Sequence, residues 1–161
     1  MPRTVWAPKL KVDPAPWQSW LVQAAPAGHE ARLTEVAFSP GGDLLAVGDE
    51  HAKVILWDAA TGAVRMVLHA SGGSVGLLAF SPDGRHLAAE SGSELDGQSP
   101  HTLTVWDTRA GREEIVIPHR ASVPGAALGL AFGLGRPLLA VSLDDETIGV
   151  VDTRTWTMTR R

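Results

Sequence analysis

The sequence predicts an all-β fold built from repeated units of four antiparallel strands, and three observations predict it. A hydrophobic stretch ending in Trp-Asp and a turn, "KVILWDAATG" at 53–62, returns as "TLTVWDTRAG" at 102–111 and, degraded, as "TIGVVDTRTW" at 147–156. A second stretch precedes each copy: "EVAFSPGGDLLAVG" (35–48), "LLAFSPDGRHLAAE" (77–90) and "GLAFGLGRPLLAVS" (129–142) align without a gap. Short apolar runs are punctuated by Pro, Gly, Asp and Ser throughout, which is the pattern of successive strands and not of helices.

The elements of each unit follow in order. The first run is Val36-Ala37-Phe38, and Phe80 and Phe132 are its equivalents, 42 and then 52 residues further on. Ser39-Pro40-Gly41-Gly42 and Ser81-Pro82-Asp83-Gly84 then place Pro where a type I turn wants its preset φ, with Gly to close the turn. The second run is Leu44 to Val47, Leu87 to Ala89, or Leu138 to Val141. The third ends at Trp57, Trp106 or Val151, followed by Asp58, Asp107 or Asp152, whose carboxylate can fold onto a nearby backbone N–H and start the next turn. The fourth run is Val64 to Leu68, Glu114 to Ile117, or Trp156 to Thr159. Phe38 to Trp57 and Phe132 to Val151 each span 19 residues, but Phe80 to Trp106 spans 26, so the middle unit carries an insertion, assigned to "SGSELDGQSP" near 91–100.

Several strands are apolar at consecutive positions, as in Val54-Ile55-Leu56-Trp57, and such strands want both faces covered. Four-stranded sheets with two apolar faces are stable when stacked face to face around an axis, which is the logic of a β-propeller. Gly28-His29, then "LTEVAFSPGG", then Trp57-Asp58 closing a unit of about 40 residues, resembles the WD-repeat β-propeller family. The resemblance covers residues 28–161 and weakens in the third copy, where Val151 replaces Trp and "FGLGR" replaces "FSPDG". It implies a blade at 28–68, a second at 69–117 and a degenerate third at 118–161. Residues 1–27 read either as outer strands of a partial preceding blade or as a Pro-rich tail. Three to three and a half blades are too few for a closed ring, which takes about four to eight. The chain is therefore expected to be part of a larger protein or to self-associate.

The resemblance also implies a stabilising network of a histidine, a hydroxyl, an Asp in the turn before the third strand and the Trp. His29, His69 and His119 stand where that histidine belongs; the turn Asp is replaced by His51 in the first copy and is Asp145 in the third. The repeat anchors are thus His29, Phe38, Trp57, Asp58, His69, Phe80, Trp106, Asp107, His119, Phe132, Asp145 and Asp152. Equivalent positions in neighbouring blades lie apart around a ring, whereas zinc ligands converge to about 2.0–2.1 Å from one ion, so the three histidines are read as structural. Asp144-Asp145-Glu146 reads as turn chemistry and not as a Ca2+ site. No cofactor or metal is expected.

Net charge is −4, with the 14 basic residues scattered, so a nucleic-acid partner is not expected. No window reaches the eighteen or so apolar residues of a membrane-spanning helix, and no secretion signal is evident, so the chain is expected to be soluble. Zero cysteines fit a cytoplasmic location, and the Ala, Gly and Arg richness resembles a bacterial chain. No Gly-x-Ser-x-Gly, P-loop or His-Glu-x-x-His pattern appears. The expected function is a non-catalytic protein-interaction scaffold; the alternative is the accessory propeller of a hydrolase or signalling enzyme whose catalytic domain lies elsewhere. Glu90, Glu94 and Asp96, in and beside the insertion, make up the candidate contact loop.

Overall fold

The computed structural model describes residues 30–92, 101–119, 129–143 and 147–160. The possible strands of residues 1–27, His29, Glu94, Asp96 and Asp145 lie outside the described residues. The first sheet holds strands β1 (Leu33–Phe38), β2 (Leu44–Asp49), β3 (Lys53–Asp58) and β4 (Val64–His69) in that spatial order. The second holds β5 (Ser74–Phe80), β6 (His86–Gly92), β7 (His101–Asp107) and β8 (Glu113–His119), and the third β9 (Leu130–Phe132), β10 (Leu138–Ser142), β11 (Ile148–Asp152) and β12 (Thr157–Arg160). Every neighbouring pair is antiparallel. The first strands lie side by side, β1 against β5 and β5 against β9, so each sheet is a blade and these strands are its inner edge. Among the described residues there are three blades, and they do not close a ring.

The turns show why these residues form hairpins. Ser39 Oγ accepts the amide of Leu44 at 3.0 Å and donates to Asp43 Oδ1 at 2.6 Å, while Gly42 N–H closes on the Ser39 carbonyl at 2.8 Å. Ser81 repeats this with His86, Asp83 and Gly84. Gly42 and Gly84 both have φ near +70°, the left-handed conformation that costs glycine least. In the third blade Gly133 replaces the serine and its amide still closes on the Leu138 carbonyl at 2.8 Å, but the hydroxyl bonds have gone. At the other hairpin, Asp58 Oδ1 accepts the amides of Ala60 and Thr61 and the Thr61 hydroxyl, and Asp107 Oδ1 accepts those of Arg109 and Ala110. Gly62 and Gly111 complete these turns with positive φ; Trp156 takes the equivalent place with φ 55°, so the third blade spends a tryptophan on a position made for glycine. Trp156 therefore belongs to the turn, and β12 starts one residue after it.

Even the irregularities repeat. A bulge interrupts the inner pairing at Thr34 in blade 1 and Gly76 in blade 2, and the outer pairing at Arg65 and Glu114.

Cross-strand partners share a face, so the register divides each blade into two surfaces. The leading face carries the Phe, Leu and Trp of the repeat: Phe38-Leu45-Trp57, Phe80-Leu87-Trp106 and Phe132-Leu139-Val151. The trailing face carries an alanine pair, Ala37-Ala46, Ala79-Ala88 or Ala131-Ala140, next to an aliphatic residue of the third strand. Blade 1 sets Ala46, Val54, Leu56 and Leu68 against Val75, Leu87, Ala89 and Trp106 of blade 2. Blade 2 in turn sets Ala88, Leu103 and Val105 against Leu139, Val141 and Val151 of blade 3. Most of these residues are fully buried, and at about 25 cal/mol per Å² of apolar surface this stacking is the principal stabilising term.

Two anchors differ from expectation. Phe38 is 59% exposed, whereas Phe80 and Phe132 pack into inter-blade clusters. His69 is exposed at the end of β4 instead of buried in a network.

The turn carboxylates give the fold a definite acid response. Hydrogen bonds from Ser39, Thr61, Ser81 and the Ala110 amide hold Asp43, Asp58, Asp83 and Asp107 below the ordinary value of 3.8, and the Arg154 side chain lowers Asp152 to about 2. A depressed carboxylate stabilises the folded chain above its unfolded pKa and loses that contribution as pH falls through the folded one. The thermal midpoint should therefore hold above about pH 4 and drop as pH is lowered towards 2. Asp152→Asn should flatten the lower part of that fall, as read by circular dichroism melts across pH.

Candidate functional site

All blade-to-blade links and the β2–β3 and β6–β7 connections leave from one end of the sheets, opposite the Ser-Pro and Asp turns. Beneath that end of blade 2 lies a cluster of buried polar side chains: Glu90, Ser91, His101, Thr102, Thr104 and His119. The alternation of β6 and β7 sorts them between two interfaces. Glu90, His101 and His119 fall on the trailing face towards blade 3, in register with Leu103 and Ile117, while Ser91, Thr102 and Thr104 fall on the leading face towards blade 1.

Glu90 is 1% exposed. Its Oε1 is held by Nδ1 of His101 and lies 3.9 Å from Nε2 of His119, and the two imidazole rings stand 5.8 Å apart. Glycines make room for it. A Cβ on the bulged Gly76 would come within 2.8 Å of Glu90 Oε2, and one on Gly92 would overlap the His101 ring. A carboxylate so deeply buried is tolerated only when it is hydrogen-bonded.

On the other interface, Ser91 Oγ is 3.1 Å from Thr102 Oγ1 and accepts the Gly72 amide at 3.2 Å, while Thr104 Oγ1 accepts the Ser71 amide at 3.5 Å. The β4–β5 link is therefore pinned by its backbone to hydroxyls of the next blade. A side chain on Gly72 would strike the Ser91 carbonyl. The corresponding end of blade 1 is held differently: buried Asp49 accepts the amides of His51 and Lys53 at 2.9 and 3.0 Å, which fixes a turn containing Ala52 at φ 63°.

These placements correct the sequence reading at two points. Glu90 does not belong to a contact loop: β6 runs on through Ser91 to Gly92, and burial of its carboxylate against His101 removes it from the surface. The carboxylate of the β2–β3 turn is Asp49, two residues before His51, which is exposed. Beside His119 the structure places His101, which the sequence reading passed over. A glutamate at the end of the otherwise apolar "HLAAE" was the available signal that a polar partner waited on the facing strand. Trp57 and Trp106 are buried at 2% exposure and take core positions. Among the described residues no group of His, Asp or Glu is arranged to hold a metal ion. What the cluster supplies is a rigid base: Gly92 and His101, the two ends from which the 93–100 connection departs, are tied to the core.

A family model described as "WD domain, G-beta repeat" matches residues 21–58. Periodic tryptophan protein 2 homolog of Schizosaccharomyces pombe is 35% identical over 101 residues, 62% of this chain and 11% of that protein. Small ribosomal subunit protein RACK1z of Arabidopsis thaliana is 35% identical over 81 residues, 50% of this chain and 22% of that protein. The chain thus spans about a tenth of the length of the first and under a quarter of the second. Both come from eukaryotes, which lends no support to the expected bacterial source. Among solved structures, "Structure of U3-55K" superposes with a TM-score of 0.68 at 19% identity, over 83% of this chain and 40% of that one. The β-propeller domain of Myceliophteria thermophila Cps50 (Swd1) gives 0.64 at 24%, over 83% and 38%. These likenesses fix the fold as propeller blades.

Removing the Glu90 carboxylate leaves two buried imidazoles facing a void. Glu90→Ala should cost about 3 to 5 kcal/mol in urea unfolding, as for other broken buried pairs, whereas the same substitution at the half-exposed Glu35 should stay within about 0.5 kcal/mol.

Proposed function

We propose that the chain is a piece of a WD-repeat β-propeller and that it is a non-catalytic scaffold that binds a protein through loops at the end of the blades carrying the β6–β7 connection. Propellers of this family serve in general as protein-interaction scaffolds. The observation that supports this end is the polar base of blade 2. Bonds between Glu90 and His101, between Ser91 and Thr102, and from Gly72 to Ser91 tie together the β4–β5 link and the strand ends from which the β6–β7 connection leaves. Loops mounted in this way lose less ordering entropy on binding than free ones.

The connection between Gly92 and His101 contributes Glu94 and Asp96 and no basic residue before His101. Its chemistry suits a basic patch on the partner, where opposite charge speeds encounter and fixes orientation. With a net charge of −4 the chain suits nucleic acid poorly as that partner. We propose the cytoplasm as its compartment, on the strength of the cysteine-free sequence alone.

The test is a charge reversal. Glu94→Lys with Asp96→Lys should weaken capture of the partner protein by about tenfold or more and leave the thermal midpoint unchanged. Equal capture by the reversed and native chains would place binding elsewhere.

A further inference from the structure

The leading face of blade 1 is buried along its centre and open along both edges. Leu45 and Val47 of β2 and Ile55 and Trp57 of β3 form a cluster of their own, separate from the two between the blades, and are 1% to 6% exposed. On the same face, Val36 and Phe38 of β1 are 60% and 59% exposed, and Val64 and Val67 of β4 are 47% and 49% exposed. The described neighbour of blade 1 is blade 2, which packs on the opposite, trailing face. A closed centre between open edges is the footprint of one narrow element laid along β2 and β3, since neighbouring strands stand only about 4.8 Å apart.

The reach of the polypeptide limits which segment can lie there. Connections 93–100 and 120–128 begin and end on blades 2 and 3. A connection of that length that must also return extends about 15 Å at about 3.5 Å per residue, whereas a layer beyond blade 1 stands about 20 Å from blade 2, at about 10 Å per packed sheet. Residues 144–146 are fewer and start from blade 3. Residues 1–29 meet no such limit, because they run directly into blade 1 at Glu30. They also carry Trp6, Trp17, Trp20, Leu21 and Val22, and the repeat matched by the family model begins at residue 21, ahead of β1. We propose that the chain's own N-terminal segment covers blade 1, with the stretch from Trp17 to Val22 seated over Leu45, Val47, Ile55 and Trp57. Blade 1 is then covered on both faces, and only the rows on β1 and β4 meet solvent.

Cross-linking of the full chain tests this. The sequence has no cysteine, so Val36→Cys and Val67→Cys each place a single thiol at an open edge of the face. Labelled with benzophenone maleimide and irradiated in dilute solution, both variants should capture peptides of residues 1–29 from the same chain, read by mass spectrometry, and the same probe at Ile148→Cys on blade 3 should not. Products from both edges without any peptide of residues 1–29, or with that peptide only from a second chain, would overturn the proposal. Indole oxidation gives a second readout: in Trp17→Asp with Trp20→Asp, Trp57 should lose its protection while Trp106, at the joint of blades 1 and 2, keeps it. Trp57 protected as in the native chain would overturn the proposal. The cross-link alters only exposed positions, so it decides the matter even where the double aspartate variant unfolds.

Discussion

Everything in this structure depends on the burial of one sheet face against the next. A four-stranded sheet with apolar residues on both sides is a poor object in water, and its stability comes from the neighbour that covers each side. The apolar residues of β3 and β7 that face a neighbouring blade, the alanines of β2 and β6, and Trp106 at the end of β7 are all consequences of that stacking. Small residues at the Ala37-Ala46 and Ala79-Ala88 positions accommodate the large residues of the following blade, and volume is thereby matched across each joint.

Polar chemistry is admitted to the joints only where it is paired. Blade 2 carries a carboxylate, two imidazoles and three hydroxyls at one end of its sheet; Glu90, His101 and the hydroxyls bond to one another or to the backbone of the adjoining link, and His119 Nε2 stands 3.9 Å from Glu90. Blade 1 reaches a similar end with a single buried aspartate that organises its own turn. The two solutions show that the requirement is satisfaction of buried groups and not a particular residue set. Repetition of the Ser-Pro turn, the Asp turn and the paired bulges keeps the strands in register, so that each Phe and Trp arrives on the leading face.

How much of this was legible follows from the distance over which each feature is decided. Hairpin turns are local, and Ser39, Ser81, Asp58 and Asp107 could be assigned from their neighbours in the chain. Strand positions were readable because apolar runs and turn residues alternate over a few residues. The propeller itself was visible in the recurrence of Trp57-Asp58 at Trp106-Asp107. Glu90 was misplaced because its burial is set by His101, eleven residues on across an insertion, and by the blade beyond it. Asp49 was overlooked because a repeat pattern pointed to position 51, while the actual turn is capped from two residues earlier. His69 and Phe38 have the right identity for buried anchors, and only the neighbourhood of blade 1 decides that they are exposed.

Blade 2 is the one blade with a described neighbour on each face, so the account makes it the most stable part of the molecule. Native-state hydrogen exchange, resolved by residue, measures this directly. The amides of β6 and β7 should exchange slowest, only through global unfolding, with those of β1 and β12 opening at lower free energy. Exchange of β6 and β7 as fast as β1 and β12 would contradict the account, because it would mean that each blade holds itself together without its neighbours.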